Sequence, residues 1–204
     1  MNPPEFTLCH IKGVPIAAHS SLVIALPVGC FLAESLMVGV VGFFAFVALL
    51  FLHEWGHAVA AMRQGLRVFR IGLYPFHGIC EYELAHSPWS QVLVSWGGVL
   101  VQTVLFVVCV LFTKSTLLLG GSIPNELGAA FFVWIPLNAL IVMLNLLPIP
   151  PLDGATAWKI VPMALARPRI DQPKPKRPSK PTGQAEVGSL DERCAGKRRS
   201  DAGE

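Results

Sequence analysis

The stretch FLHEWGHA, residues 51–58, contains the signature H-E-x-x-H. On an α-helix, residues four positions apart lie one above the other, so His53 and His57 can present both imidazoles to one metal ion. Glu54 follows the first histidine, where its carboxylate could take a proton from a metal-bound water molecule. The stretch therefore predicts a helical metal site of the kind found in zinc hydrolases.

An apolar sequence surrounds this motif. The eighteen residues 35–52 carry no charge, and the uncharged residues 58–62 follow His57 directly. A helix needs about 20 mostly apolar residues to cross a bilayer. Ionisable residues inside such a segment are costly, and they usually mark a functional site. The metal site is therefore predicted to lie within a membrane.

The composition of the 204 residues agrees with a membrane protein: 53% are hydrophobic, only 14% are charged, and the mean hydropathy is +0.56. A soluble domain has about 25% charged residues, so a soluble zinc protease is excluded. The net charge of +3 comes from the C-terminal end and indicates membrane topology rather than a nucleic-acid partner. The five cysteines lack C-x-x-C spacing and predict neither a disulfide framework nor a thiolate zinc site.

We predict an all-α polytopic membrane protein with about four transmembrane helices, a small membrane-associated β-hairpin and a disordered C-terminal tail. The first span is short and contains Pro27, so a partly re-entrant helix is the alternative there. The predicted parts are an N-terminal surface segment (1–20), a core (21–166) with spans at 21–34, 36–62, 89–113 and 127–152, a hairpin within 68–84, a short helix at 155–166, and a basic, proline-rich tail (167–204).

The basic residues predict the orientation of the chain. Arg63, Arg67 and Arg70 lie between the second and third predicted spans, and further lysines and arginines follow the fourth. Basic loops stay on the cytoplasmic side, and four crossings put both of these regions on one side. We therefore expect a multi-pass protein of the cell membrane with both termini in the cytoplasm.

A catalytic zinc ion usually has three protein ligands and an open position for water. Asp153 is the only acidic residue at the end of an apolar span besides Glu34 and Glu54. The predicted topology puts Glu34 at the opposite face of the membrane. Asp153 is therefore the best candidate for the third ligand. Its alternative role is an N-cap for the helix that follows.

A second motif, NLLPIPPLDG at residues 145–154, lies far downstream of the first. Together the two motifs resemble the site-2 protease family of intramembrane zinc metalloproteases, whose second motif is N-x-x-P-x-x-x-L-D-G. The resemblance covers roughly residues 8–165. It implies one zinc ion per chain bound by His53, His57 and Asp153, with Glu54 as the catalytic acid and base and Asn145 contacting the substrate or its oxyanion. The implied substrates are transmembrane proteins, cut within or beside the lipid bilayer in regulated intramembrane proteolysis.

Two elements depart from the family pattern. Residues 95–102 resemble its third-span G-P-x-x-N element, but without its proline and with Gln102 in place of asparagine. Residues 76–79 resemble its Gly-Gly hairpin, with His77 in place of the first glycine. No stretch of this sequence is long enough for the PDZ or CBS domain that many relatives carry.

Two functions of different classes fit these residues. The first is a zinc endopeptidase acting on transmembrane proteins. The second is a non-catalytic membrane protein that binds metal, or a metal carrier. A carrier needs ligands along a route through the membrane and has no need of Glu54, so the sequence favours the protease.

Overall fold

The computed structural model describes residues 5–166. The predicted disordered tail at 167–204 lies outside the described residues. The secondary-structure elements, in chain order, are β1 (Glu5–Ile11), β2 (Val14–His19), α1 (Ser21–Leu32), α2 (Leu36–Arg63), β3 (Val68–Leu73), β4 (Gly78–Tyr82), α3 (Pro88–Leu118), α4 (Asn125–Phe132), a π-helical turn (Val133–Leu137), α5 (Asn138–Asn145), α6 (Gly154–Ala157) and α7 (Ile160–Leu165).

Three helical segments of the described chain are long and apolar enough to cross a membrane. They are α2, α3 and the continuous segment Asn125–Asn145, which joins α4, the π-helical turn and α5. These three confirm the second, third and fourth predicted spans as helices. The helix at the first predicted span, α1, has 12 residues, fewer than the roughly 20 that a straight crossing needs.

Local sequence signals explain where the two longest helices begin. The Ser35 hydroxyl accepts a hydrogen bond from the backbone N–H of Val38 at the start of α2. The Ser87 hydroxyl does the same for Ser90 at the start of α3, where Pro88 occupies the first turn. Both serines satisfy backbone donors that a helix start leaves free.

Prolines shape the third long segment. Pro136 has no backbone N–H, and the helix around it widens into the π-helical turn. The helix then ends at Asn145, before the prolines of the second motif, so that residues 146–153 form an irregular connection to α6. The irregular second half predicted for 127–152 is therefore present, but it begins only after Asn145. The short helix predicted at 155–166 is split into α6 and α7.

The strands form one four-stranded sheet with the order β1-β2-β3-β4. The predicted hairpin is present as β3 and β4, which pair antiparallel. However, β2 from the N-terminal surface segment pairs parallel with β3, and β1 pairs antiparallel with β2. The all-α prediction was therefore too narrow, because it treated the two extended regions separately. A parallel pair joins distant parts of the chain, and strand periodicity alone does not reveal it.

The sheet packs against α2 through a buried apolar cluster. Ile16 from β2 and Ile71 and Leu73 from β3 contribute to this cluster, together with Leu50 and Ala58 from α2. This packing holds β4 beside the part of α2 that carries the H-E-x-x-H motif. The strand therefore forms one wall of the cleft described below.

Helices α2 and α3 approach each other closely at three glycines. A Cβ atom added at Gly56 would overlap the Gly97 carbonyl group and lie 2.9 Å from the Gly98 Cα atom. One added at Gly97 would overlap the Gly56 carbonyl and lie 2.9 Å from the Ala60 side chain. The helix pair can therefore come this close only with glycine on both sides, as in small-residue packing of membrane helices.

We expect Gly97→Ala to destabilise the protein by about 1–3 kcal/mol, because the added methyl group must push α2 and α3 apart. The matched control is Gly128→Ala on α4, where an added Cβ atom meets no atom within 4 Å. Thermal unfolding in detergent, followed by tryptophan fluorescence, measures both effects. Equal unfolding temperatures for the two variants would contradict the close approach.

An ion-pair network ties the outer strand β1 to the rest of the sheet. Arg70 on β3 pairs with Glu5 on β1 and with Glu81 on β4, and the Tyr74 hydroxyl donates to Glu5 at 2.5 Å. The hydrogen bond from Tyr74 and the charge of Arg70 lower the pKa of Glu5. The hydrogen bond from Arg70 and its charge likewise lower the pKa of Glu81.

A carboxylate whose pKa is lowered by folding stabilises the folded state above its ordinary pKa, and this contribution is lost as the pH falls. We therefore expect β1 to loosen when the pH drops below 4.5, the ordinary value for Glu5. Amide hydrogen exchange of residues 5–11, corrected for intrinsic rates, measures this loosening. Glu5→Gln should exchange faster already at pH 7, whereas Glu126→Gln, an exposed carboxylate on α4, should behave as the parent. If the protection of the β1 amides against exchange changed neither with pH nor in Glu5→Gln, this role would be contradicted.

Candidate metal centre

The two motif histidines are buried on α2 and point at one position. Their Nε2 atoms lie 3.1 Å apart. His57 Nδ1 lies 2.8 Å from the Val94 carbonyl oxygen, and His53 Nδ1 lies 3.0 Å from Gln102 Oε1. Both of these oxygens accept hydrogen bonds, so each Nδ1 carries the ring proton in the neutral form. Each Nε2 is thereby left as an electron-pair donor for a metal ion.

The structure brings the third predicted ligand to the same position. Asp153 Oδ2 lies 3.1 Å from His53 Nε2 and 3.2 Å from His57 Nε2. Asp153 does precede α6 as its N-cap residue, but its side chain makes no capping hydrogen bond there. The side chain is directed to the histidines rather than to the helix that follows.

This arrangement fits a zinc ion. Two imidazole nitrogens and one carboxylate oxygen form a donor set that catalytic zinc sites use. Zinc–ligand distances of about 2.0 Å in a tetrahedron place neighbouring ligand atoms about 3.3 Å apart. The three separations measured between His53, His57 and Asp153 are 3.1, 3.1 and 3.2 Å. A cation bound at this point would hold the three electron-pair donors together at neutral pH.

Backbone contacts of the second motif fix the position of Asp153. A Cβ atom at Gly154 would overlap the Leu146 and Leu147 carbonyl groups, so only glycine allows this turn to pack against the end of α5. The Trp158 indole N–H donates to the Leu146 carbonyl oxygen at 2.6 Å. The Trp96 indole N–H on α3 donates to the Ala157 carbonyl oxygen at 3.2 Å. These contacts join the aspartate-bearing segment to both α5 and α3.

A cleft of about 550 Å³ opens beside the three side chains. Glu54 is buried in its wall, and a Cβ atom at Gly78 of β4 would overlap the Glu54 side chain. Asn145, the last residue of α5, also lines the cleft. All five predicted site residues therefore lie around one cavity.

The thiol in this cleft is not part of the donor cluster. Cys80 on β4 lines the cleft, and its burial, with smaller contributions from nearby acidic residues, raises the pKa of the thiol to about 12. Among the described residues, the ligand atoms that lie within 4.8 Å of one another belong to His53, His57 and Asp153. The cluster therefore consists of nitrogen and oxygen donors.

Comparison with known proteins gives three results. The model of peptidase family M50 matches residues 41–130, which include the H-E-x-x-H motif. A protein of Synechocystis sp. named "Putative zinc metalloprotease sll0528" is 30% identical over 112 residues, which are 53% of this chain and 28% of that protein. The site-2 protease from Methanocaldococcus jannaschii has the same fold, with a TM-score of 0.59 and 21% identity over 79% of this chain and 73% of that one.

Over residues 41–130 the chain resembles peptidase family M50, and it has the fold of a site-2 protease. With its three apolar helices, it is an integral membrane protein. The chain spans less than a third of the Synechocystis protein that it matches.

Sequence reasoning missed several residues around this centre. Gln102 stood out only as a departure from the family pattern, although its side chain contacts His53. Gly98 leaves room for the two ligands, because a Cβ atom at this position would lie 2.6 Å from both imidazoles. Trp158 gave no signal at all, since its partner, the carbonyl oxygen of Leu146, belongs to the backbone.

We expect Gly98→Ala to prevent metal binding, because its methyl group must displace His53 Cε1 or His57 Nε2. The purified parent protein should contain about one zinc ion per chain, and the variant a small fraction of that amount. Elemental analysis by mass spectrometry measures both, with Gly128→Ala as the control. A variant with a full complement of zinc would show that the imidazoles are not held as described.

Proposed function

We propose that this chain is a zinc endopeptidase that hydrolyses peptide bonds of transmembrane proteins, as a step of regulated intramembrane proteolysis. The observation that carries this proposal is the meeting of His53, His57 and Asp153 within 3.2 Å of one another beside Glu54. In a chain with three membrane-crossing helices, such a centre is directed at substrates that also lie in the membrane.

In this proposal His53, His57 and Asp153 are the protein ligands of one zinc ion. When bound, zinc would supply an activated water molecule and polarise the peptide carbonyl group. Glu54 accepts a proton from the attacking water molecule and later delivers it to the amine that leaves. The wall formed by β4 holds Glu54 in place during both proton transfers, since Gly78 packs directly against its side chain.

The sheet suggests how the substrate binds. Strand β4 lines the cleft and, within residues 5–166, has a strand partner on one side only. An extended substrate segment can pair with such an edge strand through main-chain hydrogen bonds, which do not depend on its sequence. Asn145, which also lines the cleft, then contacts the substrate or its oxyanion. A transmembrane helix of the substrate must therefore unwind locally before it is cut.

We further propose a multi-pass protein of the cell membrane with four crossings, in which α1 is the short first crossing. Arg63 is the last residue of α2, Arg67 lies in the connection that follows, and Arg70 lies on β3. The basic residues favour the cytoplasmic side for this connection and for both termini. His53 lies in the half of α2 nearer to that side, so water reaches the cleft from the cytoplasm.

We expect Glu54→Gln to abolish cleavage while zinc content stays at about one ion per chain. The change removes the proton acceptor but leaves the three ligand side chains intact. The measurement compares the membrane proteomes of cells that produce the parent or the variant, together with elemental analysis of each purified protein. Asp153→Ala is the matched control and should lose both zinc and cleavage.

Two results would contradict this assignment. Cleavage products that persist in the Glu54→Gln cells would show that Glu54 is not the catalytic base. A parent protein that binds zinc but leaves the membrane proteome unchanged would favour a non-catalytic metal-binding protein.

A further inference from the structure

Gln102 has an unusual position for a polar side chain in an apolar helix. It lies on α3 inside a predicted membrane span and is fully buried. Its Oε1 atom is 3.0 Å from His53 Nδ1, but its Nε2 atom has no hydrogen-bond partner among the described residues. The side chain also lines the cleft that contains Glu54 and Asp153. One end of this amide is therefore used, and the other is a buried donor without a partner among the described residues, in a side chain next to the cleft.

The chemistry of His53 fixes which end of the amide faces which way. If the NH₂ group pointed at His53, Nδ1 would have to accept and the ring proton would move to Nε2. That proton would then point at Asp153 and His57 and block the metal position. A metal-binding His53 therefore requires Oε1 at Nδ1, which turns the N–H groups of Gln102 away from the ring.

The neighbouring helix holds the backbone at this position. Asn138 on α5 is fully buried, and its side-chain amide donates to the Gln102 carbonyl oxygen at 2.9 Å. This contact uses the Gln102 backbone and leaves the side-chain Nε2 atom without a partner within residues 5–166. A buried N–H group without an acceptor is unfavourable, and buried donors of this kind are normally satisfied by a partner.

We propose that Gln102 has two roles, which rest on the proposed protease function. Its Oε1 atom positions His53 for zinc binding by holding the proton on Nδ1. Its Nε2 atom donates a hydrogen bond to a backbone carbonyl oxygen of the bound substrate peptide. The same amide therefore links the orientation of a metal ligand to the placement of the scissile segment.

Two substitutions separate these roles. Gln102→Glu keeps an oxygen acceptor for His53 Nδ1 but removes the N–H donor, whereas Gln102→Leu removes both. Thr103→Val is the control, since the adjacent Thr103 side chain is exposed and bonds only within α3, to the Val99 carbonyl oxygen. Each purified variant is tested for zinc affinity by competition with a chelator, and for initial rates on fluorescein-labelled casein in detergent at pH 8.

The zinc affinity tests the positioning role. We expect Gln102→Leu to bind zinc about 10- to 100-fold more weakly, whereas Gln102→Glu and Thr103→Val stay within about threefold of the parent or bind more tightly. Unchanged affinity in Gln102→Leu would overturn this role. Equal losses in the leucine and glutamate variants would also overturn it, because they would show a packing effect instead.

The cleavage rate tests the donor role. We expect Gln102→Glu, fully loaded with zinc, to have a kcat/KM reduced by about 10-fold or more, while Thr103→Val keeps the parent value. A fully active Gln102→Glu would overturn the donor role. A parent protein that cleaves neither casein nor any protein in the membrane-proteome comparison would count against the proposed function and the donor role together, while the zinc affinities would still decide the positioning role.

Discussion

Three electron-pair donors lie close together inside an apolar protein, and the surrounding structure holds them there. His53 and His57 lie on α2, and Asp153 lies about a hundred residues further along the chain in the irregular connection before α6, yet their ligand atoms lie 3.1–3.2 Å from one another. Polar groups in a membrane segment are costly unless they are paired or bind an ion. The surrounding residues therefore have to hold each donor in one orientation and admit a substrate on the remaining side.

Backbone carbonyl groups and glycines make most of the contacts that position these donors. The Val94 carbonyl oxygen sets the tautomer of His57, and Gly98 leaves room for both imidazoles. Gly154 lets the aspartate-bearing turn pack against the carbonyl groups at the end of α5. Gly78 on β4 leaves room for the Glu54 side chain, which a Cβ atom at that position would overlap. A small membrane protein can thus build a metal centre with few additional polar side chains, because main-chain groups supply the contacts.

The sequence predicted the centre better than its surroundings. The four-residue spacing of His53 and His57 and the L-D-G turn at Asp153 are local patterns, so they can be read from the chain directly. The partners of these residues are not local: Gln102 lies 49 positions from His53, and the need for glycine at Gly98 comes from its packing against both imidazoles. The four-stranded sheet was missed for the same reason, since β2 and β3 pair in parallel across the whole of α2. The 12-residue length of α1 shows a further limit, because composition alone does not fix whether a short apolar segment crosses the membrane.

The most direct test of this account is X-ray absorption spectroscopy at the zinc edge on the purified protein. The account predicts four nitrogen or oxygen ligands at about 2.0 Å, with the outer-shell scattering of two imidazole rings and no sulfur. It also predicts that Asp153→Ala, which loses its zinc, shows no zinc edge above background. A sulfur ligand at about 2.3 Å, which would have to come from a cysteine such as Cys80, would contradict it. So would a full zinc edge in Asp153→Ala.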